Sequence, residues 1–248
     1  MAREDLFGDR ARDYARHRPT YPEELFDHLE RLVAARELAW DCGAGSGQSS
    51  RSLARRFGRV VATDSSLRQL TQAAPMPGID FVAAAAEAAP LREDCADLIL
   101  VSAAMHWFDV PAFYVEVRRV ARPGAILAVW SYFQSRIDPA IDAILTRFAD
   151  DVVGPFWKES FRLNRSAYRD LDFPFERLPW PDVEAHARMG LPDLFTYMRT
   201  WSASQAWERE RGTDPVDVVR EELARAWGDR TVERDVRWPL HGAIGRVR

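Results

Sequence analysis

The chain is poor in cysteine. Cys42 and Cys95 are its two cysteines, and neither stands in a C-x-x-C or Cys/His spacing that would suggest a metal site. No bound metal is expected. The N-terminus is charged from Arg3 onward and has no apolar core segment, so no signal peptide is expected. With so few cysteines, a reducing cytoplasm is the expected location. No run of about 18 apolar residues occurs, which argues against a membrane span. There is no basic block either. The formal net charge is −4 and the arginines are scattered among acids, so nucleic acid is not expected as the main partner. Internal repeats, low-complexity linkers, a G-x-S-x-G elbow, an H-E-x-x-H pair and a Walker A sequence are all missing. What is present is a chain of 248 residues, 47% hydrophobic and 29% charged, enough for one large α/β domain with a substantial core. Of its nine tryptophans six follow residue 150, which points to an aromatic-walled surface or pocket in the C-terminal part.

The patterning divides the chain. A first segment, roughly 5–17, reads as helical. Thr20 and Glu23 have capping-box spacing around Pro22, and Leu25, Phe26, Leu29, Leu32 and Val33 follow at helical intervals. From 38 to 132 strands and helices alternate. Leu38–Asp41, Arg59–Thr63, Ile79–Ala83, Asp97–Val101 and Ala125–Tyr132 read as strands. Gln48–Phe57, Ser66–Ala74 (with Ser65 as its cap) and Pro111–Ala121 read as helices. Strands apolar on both faces and separated by helices predict a doubly wound, mostly parallel sheet. Such sheets bind ligands at the carboxyl ends of their strands. Beyond 133 the spacing predicts helices at Pro139–Val153, Pro192–Trp207 and Pro215–Trp227. Strands are expected near Phe173–Leu178 and Val232–Leu240, with Pro239 marking an edge or a bulge. The expected organisation is a single domain over 1–248. Residues 1–37 form N-terminal helices or a lid, 38–132 a ligand-binding core, and 133–248 complete the sheet and add helices.

Chemistry concentrates at Asp41-Cys42-Gly43-Ala44-Gly45-Ser46-Gly47, which follows the first strand and precedes the helix opening at Gln48. Glycines there allow a tight turn and close approach of a ligand to the main chain. The free N–H groups beyond them favour a carboxylate or a phosphate. The dinucleotide fingerprint G-x-G-x-x-G fits poorly: started at Gly43 it needs glycine where Gln48 stands, and started at Gly45 where Ser50 stands. An acid at the strand end repels a pyrophosphate and favours a ligand with an ammonium group. Asp64 ends the second strand about 20 residues after the loop, where a carboxylate can accept both hydroxyls of a ribose. A structural turn and a helix cap are the bland alternatives for these two features. A nicotinamide-dependent oxidoreductase and a non-catalytic nucleoside-binding protein are the alternative functions.

The D-x-G-x-G-x-G turn resembles the first motif of the class I S-adenosylmethionine-dependent methyltransferases. Further segments are similar to their small-molecule branch, which includes trans-aconitate methyltransferases and related carboxyl methyltransferases. These are Tyr14–Pro22, Ala86–Leu91, Asp97–Val101, Ala104–Phe108 and Arg118–Gly124. The resemblance implies a seven-stranded Rossmann-like fold and S-adenosylmethionine as donor, leaving S-adenosylhomocysteine. It implies that Asp41, Cys42, Gly43, Ala44, Gly45 and Gln48 surround the methionine end. Asp64 and Ser65 would lie at the ribose, Ala86 and Glu87 by the adenine, and the Ala103 carbonyl at the ammonium. Ala85 and Ser65 depart from the family pattern, since an acid is common at the first position and an apolar residue at the second. His106 is a candidate general base, and His106 and Trp107 candidate pocket residues. Tyr14, His17 and Arg18 are candidates for a lid, an arginine there suiting a carboxylate acceptor. Trp201, four residues from Gln205 on one expected helix, is a candidate for the acceptor pocket. A small-molecule acceptor methylated on a carboxylate or hydroxyl oxygen is the expectation.

Overall fold

Five apolar runs between residues 38 and 131 become five parallel strands in the computed structural model, which describes residues 19–247. They are β1 (Leu38–Cys42), β2 (Arg59–Asp64), β3 (Ile79–Ala83), β4 (Ala96–Ser102) and β5 (Ala121–Ser131). Two later strands, β6 (Glu176–Leu178) and β9 (His241–Arg246), extend the sheet to the order β3-β2-β1-β4-β5-β9-β6. β9 runs antiparallel to both β5 and β6, so the sheet is mostly parallel, as the patterning predicts.

Alternation along β1 fixes which helix lies on which face. Trp40 packs with its ring centroid 6.0 Å from that of Phe113 on α4 (Val110–Val120). The next residue, Asp41, instead meets Ser50 on α2 (Gln48–Ala54). The sheet is therefore covered on both sides, and β4, buried from Ala96 through Val101, shows the consequence. On the α4 side the core contains Trp40, Ile99, Val101, Phe113, Val117 and Leu127. On the other side α1 (Glu23–Leu32) buries Leu25, Phe26 and Leu29 and sets Phe26 edge-on to Trp130.

Several local expectations are corrected. The capping box at Thr20 and Glu23 does not form: α1 starts after Pro22, and no side chain caps it. Glu23 is drawn toward α2, where it accepts from Ser52 Oγ (2.7 Å) and Arg56 Nη1 (2.7 Å). Charge-assisted bonds of this kind outcompete a local cap. The cap of the helix after β2 is Ser66, not Ser65. Ser66 Oγ accepts from Gln69 N, and α3 (Leu67–Leu70) is a single turn. Val232–Leu240 does not join the main sheet. Its strand, β8 (Arg234–Pro239), pairs antiparallel with β7 (Glu184–Met189) in a separate two-stranded sheet, where Pro239 sits at an edge.

The chain divides into two compact units. One comprises Tyr21–Tyr132, Arg162–Val183 and Leu240–Arg248 and contains the seven-stranded sheet and the single-turn α6 (Arg162–Arg165). The other includes Phe133–Phe161 and Glu184–Pro239. It holds α5 (Pro139–Arg147), the antiparallel pair β7–β8, α7 (Leu191–Arg199), α8 (Ser202–Arg211) and α9 (Arg220–Trp227). The single helix expected over Pro192–Trp207 is broken at Thr200–Trp201, because Trp201 takes an extended conformation (ψ 136°) as the cap of α8. Thr200 Oγ1 donates to the Tyr197 carbonyl at 2.6 Å, closing off α7.

Candidate functional site

β1 and β2 end side by side, with Asp41 paired to Ala62 and Cys42 to Thr63. Beyond them the chain turns through Gly43–Gly47. The N–H groups of Gly43 and Ala44 both donate to the Thr63 carbonyl, at 2.8 and 2.9 Å. Gly43, Gly45 and Gly47 all have positive φ (72°, 56° and 79°), a region that L side chains enter only at a cost. Space separates their roles. A Cβ on Gly43 would lie 2.5 Å from Ala104 Cβ, and one on Gly47 would lie 2.9 Å from the Phe81 ring. These two glycines allow the turn to pack against the protein. A Cβ on Gly45 would meet nothing nearer than Gln69 Oε1 at 4.0 Å, so that glycine borders open space.

Two carboxylates flank the turn, with different environments. Asp41 is fully buried and accepts a 2.5 Å hydrogen bond from Ser50 Oγ on Oδ2. Its Oδ1 is buried with no hydrogen-bond partner among the described residues. Burial, followed by repulsion from Asp64, pushes the Asp41 carboxyl up to about 7, against a partial offset from the Ser50 hydrogen bond. The neighbouring Cys42 thiol is likewise pushed up by burial. Asp64 is half-buried. Its Oδ2 accepts from Gly45 N (2.9 Å) and its Oδ1 from Ser66 N (2.8 Å). Asp64 is thus oriented by the glycine turn itself. Ser65 is exposed, and so is Leu67 (64%), a large apolar side chain two positions further on.

The third wall comes from the segment after β4. Ser102 Oγ is held by Ser49 Oγ at 3.0 Å. Ala103 follows with φ 51°, left-handed for a residue that has a Cβ, and its N–H donates to the Trp130 carbonyl at 2.8 Å. Backbone held in this sparsely populated region is a recurrent mark of functional sites. Met105–Trp107 then forms a 3-10 turn in which His106 is buried and Trp107 half-buried, their ring centroids 5.0 Å apart. Ala104 and Phe108 lie against the Gly43 position, which brings the His106 turn to the glycine turn.

The loop between β3 and β4 completes this end of the sheet. Ala86 is buried, and Glu87 Oε1 accepts from Asp109 N (2.7 Å), tying the loop to the start of α4. Glu116 on α4 accepts from Ala89 N (2.7 Å), and Arg119 donates to the Leu91 carbonyl (2.8 Å) while pairing with Glu116. That pairing holds the Glu116 carboxyl below its ordinary value. Arg122, in the same sequence segment, pairs with Asp97 Oδ1 at 2.9 Å, and Asp97 Oδ2 accepts from Glu37 N and Leu38 N. These arginines have structural partners.

Of the residues singled out from sequence, Asp41, Cys42, Gly43, Ala44, Gly45, Gln48, Asp64, Ser65, Ala86, Glu87, Ala103, His106 and Trp107 all belong to the unit that contains the seven-stranded sheet. Trp201 belongs to the other unit, buried among Phe148, Trp157 and Tyr197 with ring centroids 5.6, 6.0 and 5.8 Å away. Gln205 N donates to the Trp201 carbonyl at 3.1 Å, so the two residues keep their one-turn spacing despite the helix break. Tyr14, His17 and Arg18 lie outside the described residues. Sequence reasoning missed Ser49, Ser50 and Leu67. A run of serines in a helix was the available signal, since serine is a weak helix former that usually serves at caps.

A sheet ordered β3-β2-β1-β4-β5-β9-β6 with β9 antiparallel, a glycine turn after the central strand and an acid ending the next define the class I methyltransferase architecture. Comparison with known proteins agrees. Residues 40–129 match the family model described as a methyltransferase domain. A solved structure from Anaeromyxobacter dehalogenans, described as a candidate Type II methyltransferase, is 39% identical, superimposes with a TM-score of 0.86, and is matched over 93% of this chain and 98% of its own. A candidate methyltransferase of Dictyostelium discoideum is 29% identical over 98% of this chain and 95% of its own length. An uncharacterized methyltransferase of Mycobacterium tuberculosis is 38% identical over 53% of this chain and 54% of its own. The chain belongs to the class I S-adenosylmethionine-dependent methyltransferases. Among the described residues no helix is long and apolar enough to cross a membrane.

Proposed function

We propose that this enzyme methylates an oxygen, carboxylate or hydroxyl, of a small molecule, in keeping with its resemblance to the small-molecule branch. We also take residues 1–248 to act as one methyltransferase domain. The observation that carries the donor-site reading is Asp41: a wholly buried carboxylate with one oxygen lacking a partner among the described residues, at the start of a turn whose Gly45 borders open space. Burying an acceptor unpaired is costly, and an ammonium group removes that cost. The residues present therefore fit the amino-acid end of the donor. Asp41 and the Gly43–Gly45 backbone would hold it, with Cys42, Ala44 and Gln48 alongside and the Ala103 carbonyl as a second acceptor for the ammonium. Asp64 would take the ribose hydroxyls. Ala86 and Glu87 would border the adenine, and exposed Leu67 would supply the apolar contact that Ser65 does not.

When bound, the donor supplies a methyl group already activated by a sulfonium. The protein's task is alignment of the acceptor and exclusion of water. A carboxylate acceptor needs no base. For a hydroxyl acceptor, His106 is the group assigned to take the proton. Trp107, half-buried beside His106, offers a flat apolar surface of the kind small acceptors pack against. Calorimetric titration with S-adenosylhomocysteine against NADH tests the donor assignment. Incubation with methyl-labelled donor and a panel of small carboxylates and alcohols tests the acceptor class. Absence of S-adenosylhomocysteine binding at millimolar concentration refutes the former, and label transferred only to nitrogen refutes the latter.

A further inference from the structure

α2 is hung from two strand ends by two adjacent hydroxyls. Ser49 Oγ meets Ser102 Oγ at 3.0 Å at the end of β4, and Ser50 Oγ meets Asp41 Oδ2 at 2.5 Å near the end of β1. Both serines are buried, at 1% and 0% exposure, in a helix face where alanine or leucine would pack without a hydroxyl to satisfy. The Ser50 bond occupies one oxygen of Asp41 and leaves Oδ1 as the one without a partner among the described residues. We propose that Ser50 is a positioning residue for donor recognition: it holds the Asp41 carboxylate in the rotation that presents Oδ1 to the ammonium of the donor's amino-acid end. The inference rests on the donor-site reading above.

The electrostatics run the same way. Among the described residues the charged group acting on Asp41 is Asp64 from β2, and it opposes ionisation. The Ser50 hydroxyl and its backbone N–H are the groups that favour the ionised form. Donor binding then draws on a carboxyl that titrates near neutrality, so affinity falls as the solution is acidified through that range.

The test is calorimetry with S-adenosylhomocysteine from pH 6 to 8.5 on wild type, Ser50→Ala, Ser50→Thr and Ser50→Val, with melting curves of each. Threonine keeps the hydroxyl, and valine matches threonine in shape without it. The expected result is affinity weaker by about tenfold or more at pH 7 in the alanine and valine variants, from loss of a hydrogen bond to a charged group. In both, the pH at which affinity declines moves upward. The threonine variant keeps wild-type affinity and pH profile. Wild-type affinity and profile in the alanine or valine variant overturns the proposal, as does a lower melting temperature with binding unchanged, which marks a purely structural serine. Wild type that fails to bind S-adenosylhomocysteine refutes the donor-site reading and this inference with it. Binding by wild type, weakened by Asp41→Asn but not by the Ser50 variants, refutes this inference alone.

Discussion

Replacing Asp41 by Asn separates what this carboxylate costs the fold from what it does for binding. In the folded chain its carboxyl is pushed from the ordinary 3.8 up to about 7, first by burial and then by Asp64. The folded state therefore holds the proton more tightly than the unfolded state. The stability tied to that proton is complete below about pH 4 and is lost as pH rises through about 7. A shift of about three units at about 1.4 kcal/mol each sets a ceiling of about 4 kcal/mol above neutrality. Asparagine is isosteric and carries no charge, and its amide oxygen can still accept from Ser50. Urea denaturation of wild type and Asp41→Asn from pH 4 to 8 is the assay. The variant is expected to be the more stable at pH 8, by about 2 to 4 kcal/mol, and the gap to shrink steadily toward pH 4. The same variant is expected to bind S-adenosylhomocysteine at least tenfold more weakly, because a neutral amide oxygen replaces the partner of an ammonium. A gap that does not vary with pH, or an asparagine variant less stable than wild type at pH 8, refutes the account of Asp41 as a strained, binding-poised carboxylate.

Other residues of the site carry separate expectations. Asp64→Ala removes the proposed acceptor for two ribose hydroxyls as well as the bonds from Gly45 N and Ser66 N, so calorimetry is expected to record at least a tenfold loss of S-adenosylhomocysteine affinity. Gly43→Ala places a methyl 2.5 Å from Ala104 Cβ at positive φ and is expected to destabilise by about 2 kcal/mol or more in urea. Gly45→Ala has room and costs about 1 kcal/mol from its φ, but is expected to weaken S-adenosylhomocysteine binding sharply; equal effects on stability would contradict the division of roles. Leu67→Ser removes an exposed side chain, so melting is expected to stay within a degree or two while nucleoside affinity drops several-fold. A fall in melting temperature with affinity unchanged would disprove that assignment.

Much of the site was legible because its elements are local. β1 to β4 appear within a residue of where short apolar runs bounded by glycine, proline or acid predict them. Asp41, Gly43, Gly45 and Asp64 were identifiable because a turn that needs left-handed backbone needs glycine at fixed spacing. Ser50 was not, since nothing short-range says that its hydroxyl will meet a buried carboxylate nine residues earlier. Leu67 was hidden by the same limit, being an ordinary helical leucine until its exposure is known.

The alternation of buried strands and helices is a property of neighbouring residues, and so is the conformational freedom of the glycine turn; by themselves they determined the parallel sheet and the end of it where the glycine turn lies. The rest waited on long-range partners. His241–Arg246 looks unlike a strand, yet a Cβ at Gly242 would lie 2.1 Å from the Val129 carbonyl and one at Gly245 would lie 2.5 Å from the Phe173 ring, so β9 takes its place beside β5 only with glycine at both positions. Val232–Leu240 had the better strand pattern and went to a different sheet, because β-pairing is chosen by which edge the folded chain offers and not by the strand alone.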